Sequence, residues 1–319
     1  MKRFEFAHVA EGIARQAGAM LRGFYEKGVE TEYKGDVDLV TVADRSCEQL
    51  IREKLTAAFP EHGIYGEEGT RDQMESEYRW YVDPLDGTTN FAHGFPAFCV
   101  ILGLERRAIQ KQKQVLRLRA ASPQRASSPG TPIAPSAQDD NVDEDGEIVA
   151  GVVYDPLRDE MFVAERGKGA WLNGKAIHVS KTQTLAESLT ATGFPSQKRH
   201  SSPNVHFYQE ITLRSHGVRR AGSAGLDLAY VACGRLDGFW EFNLNPWDTS
   251  AGILLVQEAG GTVTHFDGGK FTLDSREVLA TNGLVKAEMQ HLFQEMFAGR
   301  EMAPIPTPAE FAAKRKAKG

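Results

Sequence analysis

The sequence predicts an α+β fold, and three observations carry that reading. A stretch of helical period opens the chain, short apolar runs bounded by Pro or Gly fill its middle, and helical stretches return near the end. There is no strict strand-helix-strand alternation of the kind a doubly wound sheet needs, so helices and sheets should stack in layers.

From Phe6 through Val9, Ile13, Ala17, Met20, Leu21 and Phe24 the apolar residues recur at three- and four-residue steps, and Gly28 marks the end of this first helix. A second helix is expected from about Ala43 to Phe59, with Leu50, Ile51 and Leu55 inward and a stop before Pro60. Between them lies the polar loop Lys34-Gly35-Asp36-Val37-Asp38. Arg79–Asp83, Phe98–Leu104 and Ile148–Tyr154 read as buried strands, and Glu160–Ala164 with Gly169–Leu172 as a hairpin followed by an Asn173-Gly174 turn. Helices are expected again around Leu226–Ala232 and Thr249–Ala259, the latter ended by Gly260-Gly261.

Of the 319 residues 41% are hydrophobic and 25% charged, enough for a large core, and the net charge of −6 argues against a general nucleic-acid or membrane-surface binder. Cys47, Cys99 and Cys233 are widely separated, which suggests neither a disulfide framework nor a zinc knuckle. No run approaches the roughly 18 apolar residues of a membrane span, and a soluble protein of the reducing cytoplasm is expected. Residues 106–145 break the order. Arg106–Arg125 carries seven Lys or Arg and no acid, a Pro-, Ser- and Ala-rich stretch follows, and Asp139–Asp145 is acidic. Such composition cannot bury enough apolar surface to fold alone, so it reads as a disordered insertion joining two strands that otherwise form a hairpin. A solvated loop is its plain reading, and a docking site for a nucleic-acid or protein partner the other. The basic tail Lys314–Lys318 reads as solvated in the same way.

Three separate segments place carboxylates beside backbone irregularities: Gly66-Glu67-Glu68-Gly69, Asp83-Pro84-Leu85-Asp86-Gly87-Thr88-Thr89-Asn90 and Trp247-Asp248-Thr249-Ser250. A strand that delivers Asp83 into a turn stiffened by Pro84 exposes that side chain at the strand end, and Asp86 returns toward the same space. Hard oxygen ligands of this kind suit Mg²⁺ or Mn²⁺, and the lack of clustered His or Cys disfavours zinc. Gly87-Thr88-Thr89 then opens a helix whose free N–H groups favour a phosphate. Each acid alone is equally a cap or a surface charge, and Asp248 stands where a helix N-cap is expected. The run Asp83–Thr88 also looks like the aspartyl-phosphate motif, but that motif has one residue between its carboxylates and this chain has two; residues three apart on an extended segment point to opposite sides. No Gly-x-Ser-x-Gly elbow or Walker loop is present, and no histidine, His93 included, has triad spacing.

These residues resemble the inositol monophosphatase family, lithium-sensitive metal-dependent phosphatases that share a fold with fructose-1,6-bisphosphatase. The resemblance rests on Lys34–Asp44, Gly66-Glu67-Glu68, Asp83–Phe91, and Trp247-Asp248 followed after eleven residues by Gly260-Gly261. It implies a layered αβαβα sandwich forming one phosphatase unit over 1–300. Within it, 1–185 would be the metal-binding half and 186–300 the C-terminal half, with 106–145 inserted and 301–319 a tail. It also implies that Glu67, Asp83 and the Leu85 carbonyl hold one metal, that Asp83, Asp86 and Asp248 hold a second, and that a weaker third lies near Glu67. Thr88 and Glu67 become the pair that orients and deprotonates the attacking water, Asp44 supports them, and Lys34 lies on a mobile loop. The phosphate falls to Gly87, Thr88 and Thr89, and polyol contacts to Gly222, Ser223, Ala224 and Glu241, although Glu241 reads equally as a strand-end acid and Asp227 as part of a helix start. The implied activity is Mg²⁺-dependent hydrolysis of myo-inositol monophosphate by a homodimer. Fructose 1,6-bisphosphate, histidinol phosphate and 3′-phosphonucleotides are rival substrates, and a binding protein using the basic insertion is the rival of another class.

Overall fold

The computed structural model describes residues 5–28, 31–33, 39–107, 146–194 and 202–316. Helix α1, Glu5–Lys27, buries Ala7, Ala10, Ile13, Ala14, Ala17 and Leu21 on one stripe, and Gly28 ends it at φ +74°. A hairpin of β1, Thr31–Tyr33, and β2, Leu39–Thr41, leads into α2, Val42–Ala58. Ile51 and Leu55 of α2 are fully buried as expected, while Leu50 is only partly so.

Both helices cover one face of an eight-stranded sheet. Its strands are β3, Gly63–Gly66, β4, Arg71–Asp72, β5, Tyr78–Asp86, β6, Cys99–Arg106, β7, Glu147–Asp155, β8, Glu160–Glu165, β9, Gly169–Leu172, and β10, Lys175–Ala176. They run in the order β10-β9-β8-β7-β6-β5-β3-β4, antiparallel except for the β3–β5 pair. The two-residue period sorts their side chains: Trp80, Val82, Val100, Leu102 and Val152 face α1 and α2, whereas Tyr81, Cys99, Ile101 and Val153 face the other way. β6 pairs with β7 as the sequence anticipates; of the insertion expected over 106–145, Arg106 is instead the last residue of β6, paired with Glu147, and residues 108–145 lie outside the described residues, as does Lys34.

A second sheet of five strands comprises β11, Leu189–Thr192, β12, Gly217–Arg219, β13, Gly238–Phe242, β14, Thr262–Thr264, and β15, Glu277–Thr281, in the order β12-β11-β13-β15-β14. Two helices, α5 at Ala224–Ala232 and α6 at Pro246–Glu258, fill the space between the sheets. On the far face Phe207 of α4, Asn204–Thr212, and Met289, Leu292 and Phe293 of α7, Lys286–Phe297, pack on Trp240 and Leu279. The result is the layered αβαβα sandwich. A helix, α8, spans Pro308–Lys316 with residues 308–313 exposed, and residues 317–319 of the basic tail lie outside the described residues. No helix among the described residues is long and apolar enough to cross a membrane.

Two glycines let α6 lie directly on the large sheet. A Cβ at Gly151 would stand 2.8 Å from the Ala251 Cα, and one at Gly103 would strike Ser250. Overpacking at a backbone contact cannot be relieved by a rotamer change, so Gly151→Val is expected to cost about 3 kcal/mol, read from urea unfolding. An unchanged midpoint would contradict this packing.

Candidate active site

β5 breaks its alternation where the acids lie. Asp83 is opposite Ile101 and Asp86 is opposite Cys99, so three steps on β5 match two on β6. This bulge adds one residue, and Ile101 and Cys99 face the same side, so Asp83 and Asp86 are brought to one face. The expectation that residues three apart diverge is corrected here: it holds for a regular strand, and β5 is not regular at Pro84. The Leu85 N–H closes the bend on Asp83 Oδ1 at 2.9 Å.

Gly87 follows at φ +95°, with the Ala97 carbonyl 2.8 Å from where a Cβ would sit, so only glycine fits. It is the N-cap of the short helix α3, Thr88–Ala92, whose first amides have no intrahelical acceptor. The Thr88 hydroxyl lies 3.1 Å from Asp44 Oδ1 and 3.1 Å from the Leu85 carbonyl. Asp44 is itself fixed: its Oδ2 accepts from Thr41 N at 2.7 Å and Thr41 Oγ1 at 2.6 Å in the capping box that starts α2. Burial pushes the Asp44 carboxyl above its ordinary range against these bonds.

Glu67 rides on a turn after β3, and the group that shapes this turn escaped the sequence reading. Glu48 of α2 is buried; its Oε2 accepts from Glu68 N at 2.7 Å, and its Oε1 from Thr70 N at 2.9 Å and Thr70 Oγ1 at 2.7 Å. A Cβ at Gly66 would overlap the Glu48 carboxylate, so the glycine admits it. A signal was present, since Asp44, Cys47, Glu48, Ile51 and Leu55 form one stripe at helical spacing. Glu48→Ala leaves the turn without its acceptors and should lower kcat by roughly 10- to 100-fold through misplacement of Glu67, with circular dichroism unchanged. Wild-type kcat in that variant would remove Glu48 from the account.

Asp86 joins the two halves of the cleft. Its Oδ2 accepts from Ser223 Oγ at 2.7 Å and Gly225 N at 2.7 Å, at the start of α5, and the Cys99 sulfur lies 3.6 Å away. Ser223 is buried with its hydroxyl committed to Asp86 and to capping Leu226 N, so its side chain supports an acid instead of facing the cleft. Asn90 ties the turns together, donating to Ala97 O at 2.6 Å and Ala221 O at 2.8 Å, beside Gly222 at φ +81°. Asp248 is not the N-cap of α6. Asn245 is, Pro246 follows, and Asp248 returns its Oδ2 to Asn245 N at 2.7 Å as the third residue of a capping box. Thr89 is exposed, Ala224 and Glu241 are buried, and Glu241 sits on β13 within the charge field of Asp227, Asp248 and Asp86.

The electrostatics of this cluster share one cause. Burial, then the charges of Glu67, Asp86 and Asp248, hold Asp83 well above the usual carboxylate range. Burial also raises Asp86 against the bonds from Ser223 and Gly225, and pushes Asp248 up to about 7 against those from Asn245. Among the described residues no Lys or Arg pairs with Asp83, Asp86 or Asp248. No group of three or more His, Cys, Asp or Glu among the described residues has the geometry of a finished metal centre. Each of the three aspartates turns one oxygen to a backbone or hydroxyl donor, and Asp83 also lies within hydrogen-bond reach of Glu67. A desolvated set of hard oxygen donors in need of positive charge fits a divalent cation.

The inositol monophosphatase family profile matches residues 3–111 and 141–298. An inositol-1-monophosphatase of Mesorhizobium japonicum is 36% identical, with 94% of this chain and all of that protein covered. The Escherichia coli protein named Nus factor SuhB is 35% identical over 91% of this chain and 96% of its own length. Among solved structures, inositol monophosphatase from Anabaena superposes with a TM-score of 0.72 at 36% identity, covering 91% of this chain and 95% of that one. The Thermotoga maritima enzyme gives 0.73 at 30%, covering 93% and 99%. Fold, acidic cleft and relatives define a phosphate-monoester hydrolase. The chain belongs to the inositol monophosphatase family.

Proposed function

We propose that this phosphatase hydrolyses the phosphate monoester of a small polyol, myo-inositol monophosphate before others, with Mg²⁺ or Mn²⁺. The observation that carries the reading is the shared field of Glu67, Asp83, Asp86 and Asp248, in which burial raises Asp83, Asp86 and Asp248 and the charges of Glu67, Asp86 and Asp248 raise Asp83 further. Glu67, Asp83 and the Leu85 carbonyl would hold one ion and Asp83, Asp86 and Asp248 a second, with a weaker third near Glu67. Cations so held would supply charge neutralisation on the phosphate and a more acidic water. Lithium sensitivity and a homodimer come with the family and belong to the same proposal.

The chain's own groups do the positioning. Thr88 donates its proton toward Asp44 or the Leu85 carbonyl, which leaves its lone pairs to accept from an attacking water. Glu67 is the base that takes the water's proton. The first amides of α3, reached closely because residue 87 is glycine, receive phosphate oxygens. Glu241 accepts from the leaving alcohol's hydroxyls, and Ser223 acts through Asp86 instead of touching the polyol. The test is a panel of myo-inositol 1-phosphate, fructose 1,6-bisphosphate, histidinol phosphate and a 3′-phosphonucleotide. The inositol ester should lead in kcat/KM by at least about tenfold, and a rival in first place would overturn the substrate while leaving the chemistry.

The name Nus factor SuhB, carried by relatives 37% and 35% identical, supports a second reading in which the chain also engages a macromolecule. The basic run Arg106–Arg125 is the candidate element. Deleting 108–145 should then leave turnover unchanged and remove a salt-sensitive partner; if no partner is lost, this second reading fails.

A further inference from the structure

Glu241 has little room of its own. It lies on β13 just past the last paired residue of β11, and the backbone of Gly193 closes against it so tightly that a Cβ there would overlap both carboxylate oxygens. Whatever fixes Gly193 therefore fixes where the Glu241 carboxylate can point.

One buried side chain does this from both sides. Asn204, the first residue of α4 and fully buried, donates from Nδ2 to the Gly193 carbonyl at 2.6 Å and to Thr192 Oγ1 at 2.9 Å. Its Oδ1 accepts from Trp240 Nε1 at 2.7 Å, and Trp240 immediately precedes Glu241. Thr192 closes the ring by donating to the Trp240 carbonyl at 2.6 Å. Both N–H groups and the oxygen of the amide are engaged between the end of β11 and the neighbour of Glu241. The helix that carries Asn204 is anchored in turn by the C-terminal segment. Ala303 N donates to Glu210 Oε1 at 2.7 Å, and Gln209 Nε2 donates to the Ala303 carbonyl at 3.0 Å.

We propose that Asn204 is a positioning residue that sets polyol selectivity by holding Gly193 against Glu241. The proposal rests on Glu241 being a substrate contact. None of these groups touches the Asp83–Asp86 turn, so loosening the frame spares the hydrolytic step. Its effect falls on leaving groups that offer hydroxyls to Glu241, because a carboxylate moved by a fraction of an ångström pairs poorly with two fixed hydroxyls.

The test compares Asn204→Asp, Gly193→Ala and Glu241→Gln with the wild type on myo-inositol 1-phosphate and on p-nitrophenyl phosphate, whose leaving group has no vicinal hydroxyls. Asn204→Asp keeps the shape and loses the Nδ2 donors; Gly193→Ala pushes on the carboxylate from the other side and leaves the buried amide intact, so one variant survives if the other folds poorly. The expected result for both is a rise of about tenfold in KM for the inositol ester with kcat held within about twofold, and no change on the aryl ester. Equal losses on both esters, or no change on either, would overturn the proposal. If Glu241→Gln leaves the inositol KM unchanged, the substrate role of Glu241 falls; if Glu241→Gln raises it and the other two variants do not, only the Asn204 frame falls.

Discussion

Asp86→Asn is expected to lower kcat/KM at saturating Mg²⁺ by at least about 1000-fold, some 4 kcal/mol of transition-state stabilisation, without unfolding the protein. The reason is the division of labour on that side chain. Oδ2 caps α5 through Ser223 and Gly225, which an amide carbonyl can continue to do, while the other position becomes an N–H group that cannot ligate a cation. Relief of repulsion with Asp83 and Asp248 should leave the melting temperature in EDTA equal to or above that of the wild type. Asp86→Ala separates the two functions, since it also removes the cap and should cost about 1 kcal/mol of stability. Retained turnover in Asp86→Asn would sink the assignment of this aspartate.

The second large effect is that of cation removal, and its sign depends on pH. Asp248 has its carboxyl pushed up to about 7 in the metal-free fold against an ordinary value of 3.8. A group raised in this way favours folding when protonated: its contribution is complete below about pH 4 and is lost as pH rises through 7. Metal-free protein should therefore become less stable from about pH 5.5 to pH 8. A bound cation reverses the preference by stabilising the ionised acids, and at a hundredfold excess over Kd it adds about 2.7 kcal/mol, about 4 °C in melting temperature for a chain of 319 residues. The gain on adding Mg²⁺ should thus be larger at pH 8 than at pH 5.5, measured by calorimetry with Mg²⁺ and with EDTA. An equal gain at both values would contradict the electrostatic account of the cleft.

How far these features could be read from sequence varied with the physics behind each. The long helices α1 and α2 and the strands β5 to β9 announced themselves because burial imposes a period on many residues at once. Strands β3, β4 and β11 to β15 and helices α4 and α7 were not anticipated: Ser188–Thr192 is mostly polar in composition, and Thr190 and Thr192 are buried only because two layers close over them. In the site, the Asp83–Asn90 run was legible as a turn rich in oxygen donors, but the bulge that aligns Asp83 with Asp86 depends on pairing with β6 and has no local signature. A cap expected at Asp248 lies three residues past the actual one, because Asn245-Pro246 is the stronger start. Asn204 stayed hidden for another reason, since nothing near it in the chain resembles the residues it joins.

The most direct test of the central claim is the initial rate of phosphate release from myo-inositol 1-phosphate by the full chain, with Mg²⁺ and then with excess EDTA. Release that needs Mg²⁺, vanishes with EDTA and returns when the cation is restored is the expected result. Release that persists undiminished in EDTA would contradict a reaction organised by Glu67, Asp83, Asp86 and Asp248.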